Sequence, residues 1–194
     1  MNPAADFQTK YELLSGIVHS AKNEFDIAEV VNSVLAESNG QRVALAELPP
    51  EVEAAIEAIC HKSGVTVLKP PYDNTGLPDS IDEADVGVSW ANFAVAETGS
   101  LVELATNDAT RLVSTLPGVH IGIFRHEDVK TTLREAAEPI REFFASEPKN
   151  ATVTFISGPS RTADIEMRLT LGVHGPELAH AVIVQDSQGR VDGD

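Results

Sequence analysis

Residues 85–105 read DVGVSWANFAVAETGSLVELA. Two apolar runs rich in valine and leucine flank Glu97-Thr98-Gly99. They predict strands over 85–96 and 100–105, joined by a sharp turn for which Gly99 supplies the conformational freedom. The pattern repeats outward. Short runs at 42–46, 65–68, 119–124, 152–156 and 179–184 predict further strands. A helix opened by Pro49-Pro50 and closed by Gly64 falls between two of them. A second is expected over 127–145, with Val129, Leu133, Ala136, Ile140 and Phe144 on one face and Pro139 kinking or dividing it. A third is expected over 162–171, ended by Gly172. Residues 5–37 read as helical, with Asp6 and Asp26 as caps and Ser38-Asn39-Gly40 as the stop. Residues 69–80, with Pro70, Pro71, Gly76 and Pro78, read as a loop.

Short strands alternating with helices predict an α/β fold, three-layer, with a mainly parallel sheet and helices on both faces. The GSLVELA segment is expected to add an antiparallel strand. The expected organisation is an N-terminal helical segment over 1–40, an α/β domain over 41–186 and a polar tail over 187–194.

The chain has 194 residues and a formal net charge of −16. A field of that sign repels phosphate backbones and anionic lipid, so neither nucleic acid nor a membrane surface is an expected partner. No apolar run reaches transmembrane length and the amino terminus does not resemble a signal peptide, so the chain reads as cytoplasmic. The single cysteine, Cys60, is too few thiols for a disulfide, a Cys₄ zinc site or an iron–sulfur cluster. Between Pro70 and Thr110 lie eight acids and no lysine or arginine. That is either a solvated acidic face or a docking surface for a basic partner.

Three segments carry candidate chemistry. In AETGS (96–100), Glu97 at a strand end is a candidate base, nucleophile or metal ligand, and equally the solvated carboxylate of a turn. In ISGPSRTADIE (156–166), a strand running into a small-residue loop and a helix would aim backbone N–H groups at one point. Ser157, Gly158, Ser160, Arg161 and Thr162 would then hold a phosphate or carboxylate, with Thr162 as N-cap. The spacing is neither a Walker A loop nor a dinucleotide glycine motif. In GVHGP (172–176), His174 is a candidate acid/base, or the imidazole of a capping loop. His120 and Trp90 read as strand and core residues. Glu97, Asp164, Glu166 and His174 offer metal donors without a standard motif, and no metal is expected.

Read together, ADVGVSWANFAVAETGSLVEL (84–104), LPGVHIGIF (116–124), ISGPSRTADIEMRLTLGVHGP (156–176) and HAVIV (180–184) resemble the LUD-domain family, in particular its lactate-utilisation protein C group. The resemblance implies a NagB/RpiA/CoA-transferase-like fold. It implies a role in oxidising L-lactate to pyruvate alongside iron–sulfur partner proteins. With a single cysteine and no flavin or nicotinamide motif, the chain itself is expected to bind no cofactor, and the clusters would lie in the partners. On that reading the loops at 97–100, 157–162 and 172–176 would converge at the carboxyl edge of the sheet. Thr98, Gly99 and the serine-rich loop with Arg161 would hold a small anion, and Glu97 and His174 would move protons. The alternatives are a non-catalytic assembly subunit, or a stand-alone enzyme acting on a phosphorylated sugar or a CoA thioester.

Overall fold

The computed structural model describes residues 2–73, 75–146, 149–163, 169–171 and 174–185. The chain opens with α1 (Pro3–Leu13), β1 (Ile17–Ala21), α2 (Glu24–Glu37), β2 (Arg42–Leu45), α3 (Pro50–Ser63), β3 (Thr66–Leu68) and α4 (Leu77–Asp82). It continues through β4 (Val86–Trp90), β5 (Phe93–Val95), β6 (Ser100–Ala105), α5 (Asp108–Val113) and β7 (Val119–Arg125). After one 3₁₀ turn come β8 (Val129–Lys130), α6 (Leu133–Ser146), β9 (Thr152–Ile156), β10 (Arg161–Ala163), β11 (Leu169–Leu171) and β12 (Leu178–Val184).

Six strands form one sheet in the order β1-β12-β7-β4-β2-β3. Every pairing in it is parallel. A parallel sheet must be covered on both faces, and its strands alternate accordingly. Ile121 and Ile123 of β7, Val86 and Val88 of β4 and Val182 of β12 pack against Ile27, Val31 and Leu35 of α2 and Val52 and Ile56 of α3. On the opposite face, Phe124, Ala179, Ala181 and Ile183 meet Phe7 and Tyr11 of α1 and Leu101 of β6. α4 and α5 cover Ala44 and Ala46 on that side. The expected three-layer α/β architecture is present.

Several local expectations need correction. The 5–37 stretch is two helices separated by β1, which pairs with β12 along the sheet edge. α1 stops where Ser15 takes a positive φ of 70° and Gly16 N–H donates to the Tyr11 carbonyl. Ile17 and Val18 then favour the extended chain. The caps are Asn2 and Asn23, not Asp6 and Asp26; the Asp26 carboxylate accepts from the Lys22 N–H.

The run 85–96 is two strands in different sheets. At Ala91-Asn92 the chain leaves β4, with Ala91 N–H donating to the Ile123 carbonyl and Asn92 N–H to that of Val102. β5 and β6 belong to a second sheet, ordered β8-β5-β6-β9, in which β6 is antiparallel to both neighbours. The antiparallel strand expected at GSLVELA therefore exists, outside the main sheet.

The helix expected from Glu127 begins only at Leu133, because Val129 and Lys130 pair with Ala94 and Val95. Thr132 and Glu135 then form a reciprocal cap: Glu135 N–H donates to Thr132 Oγ1, and the Glu135 carboxylate accepts from the Thr131 N–H. α6 runs on through Pro139. Part of the 69–80 loop is α4.

The helix expected over 162–171 is not formed where its ends are described. Arg161-Thr162-Ala163 pairs antiparallel with Leu169-Thr170-Leu171, a threonine- and leucine-rich pairing suited to strands. Residues 164–168 and Gly172, and the tail from 186, lie outside the described residues. Among the described residues, no helix is long and apolar enough to cross a membrane.

Ile121 is wholly buried at the centre of the main sheet. Replacing it with alanine should cost about 2–5 kcal/mol in chemical denaturation, the range of large-to-small core changes.

Candidate functional site

The three signature loops do meet in part, at the edge opposite to the one expected. Gly99 takes a φ of +61°, and a Cβ there would lie 2.7 Å from Lys10 Cβ and 2.8 Å from Tyr11 N, so the turn sits directly on the α1 backbone. Gly158, at φ +98°, would place a Cβ 2.6 Å from the Leu14 carbonyl oxygen. Ser100 Oγ lies 2.7 Å from Ser157 Oγ and donates to Thr98 Oγ1 at 2.8 Å. Ser160 N–H donates to the Pro176 carbonyl at 2.9 Å, and Glu177 N–H to that of Gly118 at 2.8 Å.

Residues 174–177 lead into β12 and Leu14 precedes β1. In a parallel sheet, both therefore lie at the amino edge. His174 is exposed there. Arg161 and Thr162 follow Ser160 as strand, so no helix N-terminus starts at Thr162 and the anion cradle based on one is lost.

Glu97 is already engaged. Its Oε2 accepts from the Leu133 N–H at 2.8 Å, at the start of α6, and its own N–H donates to the Thr131 carbonyl. No hydrogen bond joins Glu97 to Ser157 or Ser160 among the described residues. The acidic stretch is likewise largely occupied. Glu83 pairs with Arg42, Asp85 accepts from the Gln41 and Arg42 N–H groups, Asp108 pairs with Arg111 and Glu103 is buried. Among the described residues, no group of three or more His, Cys, Asp or Glu side chains is placed to hold a metal.

The carboxyl edge holds a different set. The residues that end β1, β4, β7 and β12 or directly follow them surround a cleft of about 580 Å³: Lys22, Trp90, Arg125 and Gln185, with Asn23 and Glu127 beside them. Trp90 is half-buried, packed against the main core as expected while also bordering the cleft, and the Arg125 guanidinium carbon lies 6.0 Å from its ring centroid. Arg125 Nη1 is 3.5 Å from Glu127 Oε1. This is where open parallel sheets bind ligands. Sequence reading missed it because β1 was hidden in a helical stretch. Locating the last residue of each parallel strand would have found it.

Two polar groups lie within the core. Between the sheets, Ser89 Oγ donates to the Glu103 carboxylate and sits 2.8 Å from His120 Nε2. With its one proton given to Glu103, Ser89 accepts from a His120 Nε2–H, and burial favours the neutral imidazole. His120 Nδ1 and Glu103 Oε2 are buried without partners. Burial raises the Glu103 pKa, opposed by the Ser89 hydrogen bond. Burial also pushes His120 down to about 3, with His180 adding to the shift. On the helical face, His19 Nε2 meets His180 Nδ1 at 3.0 Å. Burial, then the neighbouring His19, take His180 down to about 4, while Glu37 opposes. Burial lowers His19 as well, again against Glu37.

A histidine with a depressed folded pKa contributes stability that is present above its unfolded value near 6.5 and is lost as pH falls. His120 and His180 lose it towards 3 and 4 respectively. Glu103 acts in the opposite sense, easing as pH falls through its raised value. Denaturation at pH 7, 6 and 5 should show falling stability, and His180→Gln should flatten the slope by up to about 1.4 kcal/mol per pH unit. Gly99→Ala, strained in φ and in contact with backbone, should cost about 2–4 kcal/mol in the same assay. Gly64→Ala, also at positive φ but facing open space, should cost about 1–2 kcal/mol.

The family model described as LUD domain matches residues 4–184. Lactate utilization protein C of Anoxybacillus flavithermus is 28% identical over 167 residues, covering 84% of this chain and 72% of that protein. The protein of the same name from Halalkalibacterium halodurans is 30% identical over 164 residues, covering 82% and 70%. That from Bacillus subtilis is 35% identical over 106 residues, covering 54% and 44%. The crystal structure of a DUF162 family protein from Deinococcus radiodurans superposes with a TM-score of 0.63 at 18% identity, covering 94% of this chain and 96% of that one, a likeness of fold. The match of the family model over nearly the whole chain establishes that this protein belongs to the LUD-domain family.

Proposed function

We propose that the chain serves lactate utilisation, as a subunit of a system that oxidises L-lactate to pyruvate together with iron–sulfur partner proteins. We further propose that it holds a small carboxylate in the cleft at the carboxyl edge. The relatives' shared name supports the process. One cysteine leaves this chain short of the thiolates that a cluster of its own would need, which supports electron transfer through other subunits. The observation that carries the site is the convergence of Arg125 and Lys22 on the ends of four parallel strands. A guanidinium can take a carboxylate through two parallel hydrogen bonds.

The amino-edge residues remain the rival placement. There Glu97 and His174 would move protons beside Thr98, Gly99, Ser157, Gly158, Ser160, Arg161 and Thr162. Oxidation of lactate requires a base for the hydroxyl proton and an acceptor for the hydride or two electrons from carbon. Glu97 would have to release the α6 N–H to act as that base.

A second reading, a non-catalytic assembly subunit, is favoured by one observation. Leu133 and Phe144 of α6 and Phe155 of β9 are each nearly half exposed, which suits a docking face.

Calorimetric titration with L-lactate and with pyruvate, and activity of the complex reconstituted with its partners, test these readings together. Arg125→Ala should weaken carboxylate binding tenfold or more, while Glu97→Ala, Arg161→Ala and His174→Ala stay within about threefold. The reverse pattern moves the site to the amino edge. Full activity in all four variants, lost on Phe144→Ser, identifies the assembly role.

A further inference from the structure

The outer face of the second sheet is apolar but only partly covered. Val102 of β6 pairs with Phe93 on one side and with Phe155 on the other. Residues paired in this way share one face, so the three side chains form a row across β5, β6 and β9. Phe93 and Val102 are 3% and 0% exposed, in the cluster they share with Ala136 of α6, whereas Phe155 is 45% exposed. The cover stops short of the last strand.

α6 leaves one of its own flanks open as well. Successive residues turn about 100° round a helix. Passing round α6 from the buried Ala136, the surface runs through Leu133, Phe144 and Ala137, all exposed, and then meets Arg141 and Arg134 before any carboxylate. Glu138 and Glu142 lie beyond the arginines, and Glu135 is held in the cap. Arg42, Lys69, Arg111 and Arg125 each pair with an acid. Among the described residues, Arg134 and Arg141 form no ion pair.

An exposed apolar strip edged by two unpaired guanidinium groups specifies its cover. Large apolar side chains must meet the strip, and carboxylates must meet the arginines. A second copy of α6 does not offer that chemistry. In an antiparallel twofold contact like flanks lie side by side, which sets arginine against arginine.

We propose that this outer layer, the flank of α6 with the β9 end of the sheet, is where an iron–sulfur partner protein docks. The partner's surface would carry large apolar side chains beside carboxylates. The proposal deepens the partner reading above and rests on it. Phe144 lies in the distal part of α6, so docking also fastens the end of the helix that its own packing leaves loose.

The full chain is titrated by calorimetry with each purified iron–sulfur partner protein. Ionic strength is held at about 0.15 M, where exposed charges more than about 8 Å apart are largely screened. Phe144→Ser and Arg141→Glu should each weaken binding tenfold or more. Lys62→Glu makes the same change in net charge in the last turn of α3 and should stay within about threefold. Amide exchange over 137–146 should slow in the complex. Circular dichroism shows whether each variant is folded.

Binding that Phe144→Ser and Arg141→Glu leave unchanged would overturn the proposal while leaving the partner reading intact. So would a loss on Lys62→Glu as large as that on Arg141→Glu, because net charge alone would then explain it. A dimer of the chain, seen by sedimentation and broken by Phe144→Ser, would also overturn it, since a second copy would then cover the face. Absence of any complex with the wild-type chain would end both the proposal and the reading beneath it.

Discussion

The parallel register of the six-stranded sheet is the constraint on which the rest depends. β7 lies between β12 and β4, with Val119 paired to both Leu178 and Val86, and six of its seven residues are buried. Because every neighbour runs the same way, all turns that enter strands lie on one edge and all turns that leave them lie on the other. The two edges acquire different chemistry. The entering edge is built from close backbone approaches at Gly99 and Gly158 and from the Ser100–Ser157 contact. The leaving edge gathers Lys22, Trp90, Arg125 and Gln185 around open space. A segment can carry a recognisable family pattern because packing demands it. The tight signature turns fit that description, since a single methyl group at Gly99 would collide with α1.

The polar groups within the core show how much the fold tolerates. Ser89, Glu103 and His120 are almost fully buried, and so is His180. Each buried donor or acceptor without a partner carries a desolvation cost of about 1–3 kcal/mol. The shared Ser89 hydroxyl lowers that cost by serving a carboxylate and an imidazole together. Neutral imidazoles are the form that burial favours, so His120 and His180 bring no positive charge into the core near neutral pH.

Much of the fold was legible. The strands at 42–46, 119–124, 152–156 and 179–184 are present within a residue or two, because short β-branched runs between turn signals have few other uses. The family signature was legible too, through the order of its segments. The errors have local causes. Ile17–Ala21 follows a helix that ends at Ser15-Gly16 without a proline, and its apolar residues also fit helical spacing. The T-x-x-E sequence at Thr132–Glu135 marked the true start of α6, but the apolar face upstream outweighed it. At 161–171 the apolar spacing fits a helix, but Arg161–Ala163 and Leu169–Leu171 pair as antiparallel strands, so no helix dipole starts at Thr162. The candidate site was the least legible part. Lys22, Trp90, Arg125 and Gln185 are far apart in sequence and share no motif; only strand order makes them neighbours.

α6 illustrates a further consequence of uneven packing. Of its 14 residues only Ala136 is buried, although the helix runs for four turns. What fastens it is concentrated at one end: the Glu97 carboxylate on the Leu133 N–H, and the Thr132–Glu135 pair. Such an element opens as a hinged arm, at a free energy well below that of the whole domain. Its distal turn is therefore the segment of the outer layer where amide protons exchange and proteases cut before the sheet beneath yields.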